Sequence, residues 1–257
     1  MPIAITRDVS RSLADCELSF VDRVVIDVAR AAAQHEAYRR ALASLGCDVI
    51  ALPAAHDFPD AVFVEDVAVV LDTIAVVTRP GAASRRAEVP SVASELARHR
   101  TLHTIEAPGT VDGGDVLTID RTIYVGASAR TNADGIAQLR RIAATAGYVV
   151  QPVAIRGCLH LKSAVTEVAE GTVLINPDWV DRIAFAPFSQ IDIDPGEPHA
   201  ANGLRIGDGV IYPASFPRTL RRLESAGIAP TLVDVSELQK AEGAVTCCSL
   251  VFSGALT

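Results

Sequence analysis

Near its C-terminal end the chain reads EGAVTCCSLVF, two adjacent cysteines opening an apolar run. Neighbouring Cα atoms are held about 3.8 Å apart and a disulfide wants about 5.5–6 Å, so the pair is not read as a bridge. If the run is a strand, Cys247 and Cys248 point to opposite faces, one into a core and one toward an open site. Taken alone, Cys247 is either a small buried hydrophobe or, beside a base, a thiolate nucleophile. GCLHLKSAVTEV offers that base. His160 alternates there with Leu159 and Leu161 as on a strand, and is either a general acid and base or a satisfied core histidine. Cys158 would share its face, so Cys158, His160 and Cys247 form a third, zinc-binding reading, although their spacing follows no standard zinc pattern.

Two acidic stretches supply carboxylates. DAVFVEDVAVV sets Glu65 and Asp66 at the mouth of an apolar run, and TVDGGDVLTID sets Asp112 and Asp115 around two glycines before another. Paired glycines permit positive φ or close backbone approach, so DGGD reads as a bulge that turns an acid inward or as a solvated turn. It is not a phosphate loop, because the G-K-[ST] is missing and acids repel phosphate. RPGAASRR carries Arg85 and Arg86, and GASARTN carries Arg130. Each is a solvated surface group or a two-pronged partner for a carboxylate.

These groups need elements to hold them. VARAAAQHEAYRRALASLG, TNADGIAQLRRIAATAGY and FPRTLRRLESAG read as helices ending at Gly46, Gly147 and Gly227, and SELQ at Ser236–Gln239 matches a capping box. Between them lie the β-like runs VAVVLD, IAVVTRP, DVLTID, TIYVG, VLINP, VIYP and SLVF, closed by turn residues. Five segments join a polar group to such a run. With Asp66, Asp115, Lys162, Asn202 and Cys248 as markers, the intervals are 49, 47, 40 and 46 residues, a loose internal repeat. If each segment delivers one strand to a common axis, the polar groups meet at its centre. No linker or low-complexity block divides the chain, so residues 1–257 read as a single α/β domain.

Composition narrows the function classes. The 257 residues are 49% hydrophobic and 21% charged, enough apolar content for a large core and too much for disorder. The net charge of −8, with no basic stripe, argues against nucleic acid and suits a cationic small molecule. No run is long enough to span a bilayer, and the first twenty residues lack the apolar centre of a signal peptide. Five cysteines make no disulfide framework, so a reducing cytoplasm is expected. No G-x-G-x-x-G opens a helix, which sets aside a dinucleotide-binding dehydrogenase.

Six blocks in order, FPDAVFVEDVAVV, TRPGAASRR, APGTVDGGDVL, VGASARTN, LHLKSAVT and SELQKAEGAVTCCSLVF, resemble the dimethylarginine dimethylaminohydrolases. These belong to the guanidino-group-modifying enzymes, with arginine deiminases and amidinotransferases as cousins. The resemblance runs from about Asp60 to Phe252. It implies an α/β-propeller, the pentein fold: five ββαβ units around a pseudo-fivefold axis with the site in a central channel. It also implies chemistry without metal or cofactor. Cys247 would attack the guanidinium carbon of an Nω-methylated arginine, and His160 would protonate the leaving amine and then activate water. Asp112 would orient His160; some members carry glutamate there, and the shorter acid alters that contact. Asp66, with Glu65 beside it, would clamp the guanidinium, which stays cationic near neutral pH. Arg85 and Arg130 would hold the α-carboxylate and Asp60 the α-amino group. Leu18 would belong to a lid, and Ala241 completes the substrate-binding set. The partner is then a methylated arginine, and the protein a monomer or homodimer. An arginine deiminase-like hydrolase uses the same kinds of residue and is the alternative reading; a non-catalytic protein of this fold would have no need of Cys247, His160, Asp66 and Asp112 together.

Overall fold

The computed structural model describes residues 1–254. β1 (Pro2–Arg7) is followed by α1 (Val28–Ser44) and β2 (Asp48–Leu52). Next come β3 (Ala68–Val70), β4 (Ile74–Val77), α2 (Val89–Leu96) and β5 (Thr101–Thr104). β6 (Val116–Ile119), β7 (Thr122–Ala127), α3 (Ala133–Thr145) and β8 (Val149–Ala154) repeat that order. The one-turn α4 (Leu161–Ala164) leads into β9 (Val165–Ala169), β10 (Thr172–Ile175) and β11 (Ser189–Asp192). Last are β12 (Leu204–Ile206), β13 (Gly209–Pro213), α5 (Pro217–Ser225), β14 (Thr231–Val233), the short α6 (Ser236–Gln239) and β15 (Leu250–Ser253).

The described strands form five three-stranded sheets, β15-β1-β2, β3-β4-β5, β6-β7-β8, β9-β10-β11 and β12-β13-β14. In every one the middle strand is antiparallel to one neighbour and parallel to the other. A parallel pair needs a crossover, and α1, α2, α3 and α5 supply four of them. The fourth sheet makes do with residues 176–188, where a 3-10 turn at Arg182–Phe185 drives Phe185 into the core against Tyr124, ring centroids 4.9 Å apart. Each helix buries one stripe on its sheet: Ile136, Leu139 and Ala143 of α3 meet Val116, Ile123, Val125 and Val150. Burying such an aliphatic side chain contributes about 1.5–3 kcal/mol, so the five small cores together hold the sheets in place.

Several sequence expectations are met. Asn132 caps α3 by accepting from the Gly135 amide, and Gly46, Gly147 and Gly227 take φ of +86, +79 and +83° beyond their helices. The five repeat markers fall one to three residues before β3, β6, β9, β12 and β15. Other expectations need correction. His160 is not on a strand but is the extended residue before α4. The cysteine pair lies in the turn that precedes β15, which begins only at Leu250. Ser236 does not cap α6; its hydroxyl instead accepts from the Gln34 amide on α1 at 2.9 Å. Tertiary partners there outcompete the local capping bond.

Hydrogen bonds link the five marked segments in a closed circuit. Glu65 N–H donates to the Cys247 carbonyl (3.2 Å), Gly114 N–H to Asp66 (3.0 Å), and Leu161 N–H to Asp115 (3.0 Å). Asn202 donates to the Lys162 carbonyl and to Thr246, 3.0 Å each, and accepts from the Thr246 amide at 3.1 Å. Residues scattered over most of the chain are thereby fixed to one another at the strand mouths.

Candidate active site

Asp66 sits in a 3-10 turn, Val64–Val67, and is 4% exposed. Its carboxylate accepts from Arg85 and from Gly114 N–H, and lies 3.9 Å from His160 Nδ1. Burial pushes this carboxyl up, but the charges of His160 and Arg85 and the two donors outweigh it and hold it below the usual range. Across the ring, His160 Nε2 meets Asp112 Oδ2 at 3.1 Å. Asp112 is fully buried, with Oδ1 accepting from Gly81 N–H at 2.8 Å. Burial alone would lower the His160 pKa; the charges of Asp66, Asp115 and Asp112 and the Asp112 bond reverse this and raise it to about 9. The surrounding acids thus favour the imidazolium form of His160 near neutral pH.

The DGGD stretch makes this packing feasible as a 3-10 turn, Gly113–Asp115, with both acids buried, so it is neither the bulge nor the solvated turn of the sequence reading. A Cβ on Gly114 would lie 2.5 Å from His160 Nδ1, and one on Gly113 only 1.9 Å from the Glu65 carbonyl. Both glycines are there for close approach.

Cys247 is half-buried while Cys248 is fully buried, so the pair divides as expected even without a strand. Its turn is braced from α1, where the buried Tyr38 hydroxyl meets the Val245 carbonyl at 2.8 Å and the Ser249 hydroxyl at 2.6 Å. Burial first, then the nearby Glu65 and Asp66 carboxylates, push the Cys247 thiol well above its ordinary range.

Asp60, Asp66, Arg85, Arg130, His160, Ala241 and Cys247 all line one small, tightly walled cavity. Arg130 is half-buried, 3.5 Å from Glu17, 3.4 Å from the Ser19 hydroxyl and 4.0 Å from Asp112. Arg85 is buried and bonded to Asp66, to Glu88 (2.8 Å) and to the Asp60 and Phe63 carbonyls. It braces Asp66 more than it faces the opening. Asp60 accepts from Glu17 N–H at 3.2 Å, and burial raises its pKa.

Two expected residues stand elsewhere. Glu65 turns to the other side of the wall, bonded to Lys162 (2.5 Å) and Thr246 (2.9 Å) in a second cavity, although its charge is still felt at Cys247. Leu18 packs on the apolar cluster containing Phe63 and Ala241, and the cavity wall is made by its neighbour Glu17. Sequence reading missed Glu17 and Glu242. Glu242, at φ +57°, accepts from Ser19 and Phe20 N–H at 2.7 and 2.5 Å and so holds the 17–20 segment over the site. Neither sits in an apolar run whose spacing could have flagged it. The zinc trio does not assemble around the cavity: the Cys158 thiol donates to the His160 carbonyl and lines a separate hollow. Among the described residues, the ligand-type atoms that do converge belong to Asp66, Asp112 and His160, within 4.8 Å of one another. With Arg85 and two backbone amides already committed to those acids, they form a carboxylate–imidazolium array.

The family model described as N,N dimethylarginine dimethylhydrolase, eukaryotic, matches residues 21–183. The N(G),N(G)-dimethylarginine dimethylaminohydrolase of Streptomyces coelicolor is 41% identical over 249 residues, covering 96% of this chain and 95% of that protein. The chain belongs to the dimethylarginine dimethylaminohydrolase family. The Pseudomonas aeruginosa dimethylarginine dimethylaminohydrolase is 38% identical over 228 residues, 88% of this chain and 90% of that one. A crystal structure of that enzyme, a cysteine-to-serine mutant complexed with citrulline, superposes with a TM-score of 0.93 over 97% of this chain and 98% of the other, at 37% identity. The N-terminal domain of the cyanobacterial arginine dihydrolase ArgZ shares the fold, with a TM-score of 0.89 at 17% identity, covering 99% of each chain. Among the described residues no helix is long and apolar enough to cross a membrane.

Proposed function

We propose that the protein hydrolyses Nω-methylated arginine, both asymmetric dimethylarginine and monomethylarginine, to citrulline and dimethylamine or methylamine. The observation that carries this reading is the meeting of Cys247, His160 and Asp66 at one small cavity rimmed by Arg130. The family's dimethylarginine enzymes, one of them crystallised with citrulline, support it.

The mechanism follows from the charges. A planar guanidinium cation entering the cavity is held by Asp66 through two-pronged hydrogen bonding. Its positive charge next to Cys247 reverses the effect of the carboxylates on the thiol, which releases its proton to solvent. The thiolate sulfur bonds to the guanidinium carbon, and His160, already an imidazolium, gives its proton to the leaving nitrogen as the C–N bond breaks. The amine departs and leaves a thiouronium on Cys247. Neutral His160 then takes a proton from water, whose oxygen adds to the same carbon, and as the C–S bond breaks the hydroxyl proton passes to the departing sulfur, giving citrulline and the Cys247 thiol. Asp112 keeps the ring oriented and favours its cationic form. Asp60 takes the α-amino group. Arg130, which in this structure pairs with the carboxylate of Glu17, exchanges it for the substrate α-carboxylate; Arg85, committed to Asp66 and Glu88, stiffens that wall. Glu65 acts on the thiol by charge, Leu18 moves with the 17–20 segment as the lid, and Ala241 is wall.

In architectural terms, the same proposal arranges the five sheets as a single-domain α/β-propeller around a pseudo-fivefold axis, consistent with the pairing of β15 with β1 and the hydrogen-bond circuit. The five free cysteines favour a reducing cytoplasm. The test is citrulline release from asymmetric dimethylarginine, with arginine in parallel, by wild type and Cys247→Ser. Turnover of the methylated substrate that vanishes in the variant is expected. Preference for arginine would replace the substrate class, and full activity of the variant would overturn the nucleophile.

A further inference from the structure

Asp115 lies outside the reacting set, yet it is fully buried behind it. One carboxylate oxygen accepts from Leu161 N–H at 3.0 Å, the amide next to His160. The other accepts from the Ser128 hydroxyl at 2.5 Å. That hydroxyl oxygen in turn accepts from the Arg130 and Thr131 amides, at 3.0 and 3.1 Å. Thr131 Oγ1 closes the loop by accepting from Asp112 N–H at 3.1 Å. One buried carboxylate thus grips the turn that carries the acid–base residue, the turn that carries the rim arginine and, through Thr131, the acid that orients the imidazole. Space is reserved for it: a Cβ on Gly126 would lie 2.6 Å from Asp115 Oδ1 and 3.0 Å from the Leu161 Cβ.

We propose that Asp115 is a positioning residue for the reaction, setting His160 through Leu161 and Arg130 through Ser128. This rests on the methylarginine hydrolase reading above. Ser128 is the one-armed part of the device. Both its lone pairs are taken by amides and its proton points to Asp115, so it ties the Arg130–Thr131 turn to that carboxylate without touching Leu161. An asparagine at 115 cannot serve both arms. With its oxygen toward Leu161, its NH₂ faces a hydroxyl that has no lone pair left; flipped, it leaves the Leu161 amide without an acceptor. The charge matters separately. His160 is faced by Asp66 from the 3-10 turn at 64–67, by Asp112 and Asp115 from the DGGD stretch, and through Asp66 by Arg85; Lys162 on its own segment is turned to Glu65. Removing one of those three negative charges lowers the pH at which His160 loses its proton.

The experiment compares wild type, Asp115→Asn and Ser128→Ala with asymmetric dimethylarginine between pH 6 and 10. For Asp115→Asn, kcat/KM is expected to fall about 10–100-fold, with the basic limb of its pH profile moved to lower pH. For Ser128→Ala, KM is expected to rise about 3–10-fold, a larger change than that in kcat. A folded Asp115→Asn that keeps wild-type kcat/KM and limb overturns the proposal. If Asp115→Asn does not fold, Ser128→Ala decides, and an unchanged KM there overturns it. Inactive but folded wild type would instead sink the substrate reading, a distinct failure.

Discussion

Two histidines of this protein are almost equally buried, His35 at 1% exposure and His160 at 6%, and they are driven in opposite directions. His35 on α1 sits against Tyr38, ring centroids 5.9 Å apart, with Nε2 unpartnered. Burial, helped by the Arg39 charge, lowers its pKa to about 4. His160 suffers the same desolvation but is ringed by Asp66, Asp112 and Asp115, and it rises to about 9. Burial by itself makes an imidazole a neutral core residue. Three carboxylates, themselves held by Arg85, Gly81, Gly114, Leu161 and Ser128, make it a proton donor at neutral pH. The difference between the two histidines lies chiefly in the acids around His160.

Removing the carboxylate of Asp66, 3.9 Å from the ring, should make His160 resemble His35. Asp66→Asn is expected to lower kcat/KM by about 10³-fold, because the guanidinium loses its clamp and the imidazole its strongest charge partner. Steady-state citrulline release measures this, and a loss under tenfold would break the comparison.

A smaller effect comes from the other side. The folded-state pKa of His35 lies below the ordinary 6.5, so its contribution to stability is complete above pH 6.5 and is lost as pH falls toward 4, where the unfolded chain binds the proton and the fold resists it. Each pH unit separating the folded and unfolded pKa values is worth about 1.4 kcal/mol. Between pH 7 and pH 4 the wild type should therefore lose about 3 kcal/mol more stability than His35→Leu. Urea denaturation at the two pH values reads the difference, and equal losses would contradict it. His160 has the opposite sign, its stabilisation present below 6.5 and lost as pH rises through about 9.

The two histidines also show what a sequence can and cannot display. HLKSAVT and DGGD are legible because their polar groups sit beside strand mouths, in blocks whose order resembles a known family. The strands VAVVLD, DVLTID and TIYVG are readable from their apolar runs, and α1, α3 and α5 from their caps and glycines. The structure differs where partners are distant. Nothing local tells that Glu65 and Asp66, adjacent in sequence, face separate cavities, that His160 precedes a one-turn helix, or that Glu242 reaches back to Ser19. β1 pairs with β15 at the other end of the chain, and β14 spans only three residues, so neither announces itself locally. The fourth sheet also lacks the helix that a regular repeat would supply.

The most direct test of the account is an NMR titration of the histidine ring signals, with His160→Gln and His35→Leu assigning the two resonances. The predicted result is His160 still protonated at pH 8 and releasing its proton near 9, with His35 neutral down to about pH 4. A His160 that is neutral at pH 7 would contradict the account, because the leaving amine would then have no proton donor.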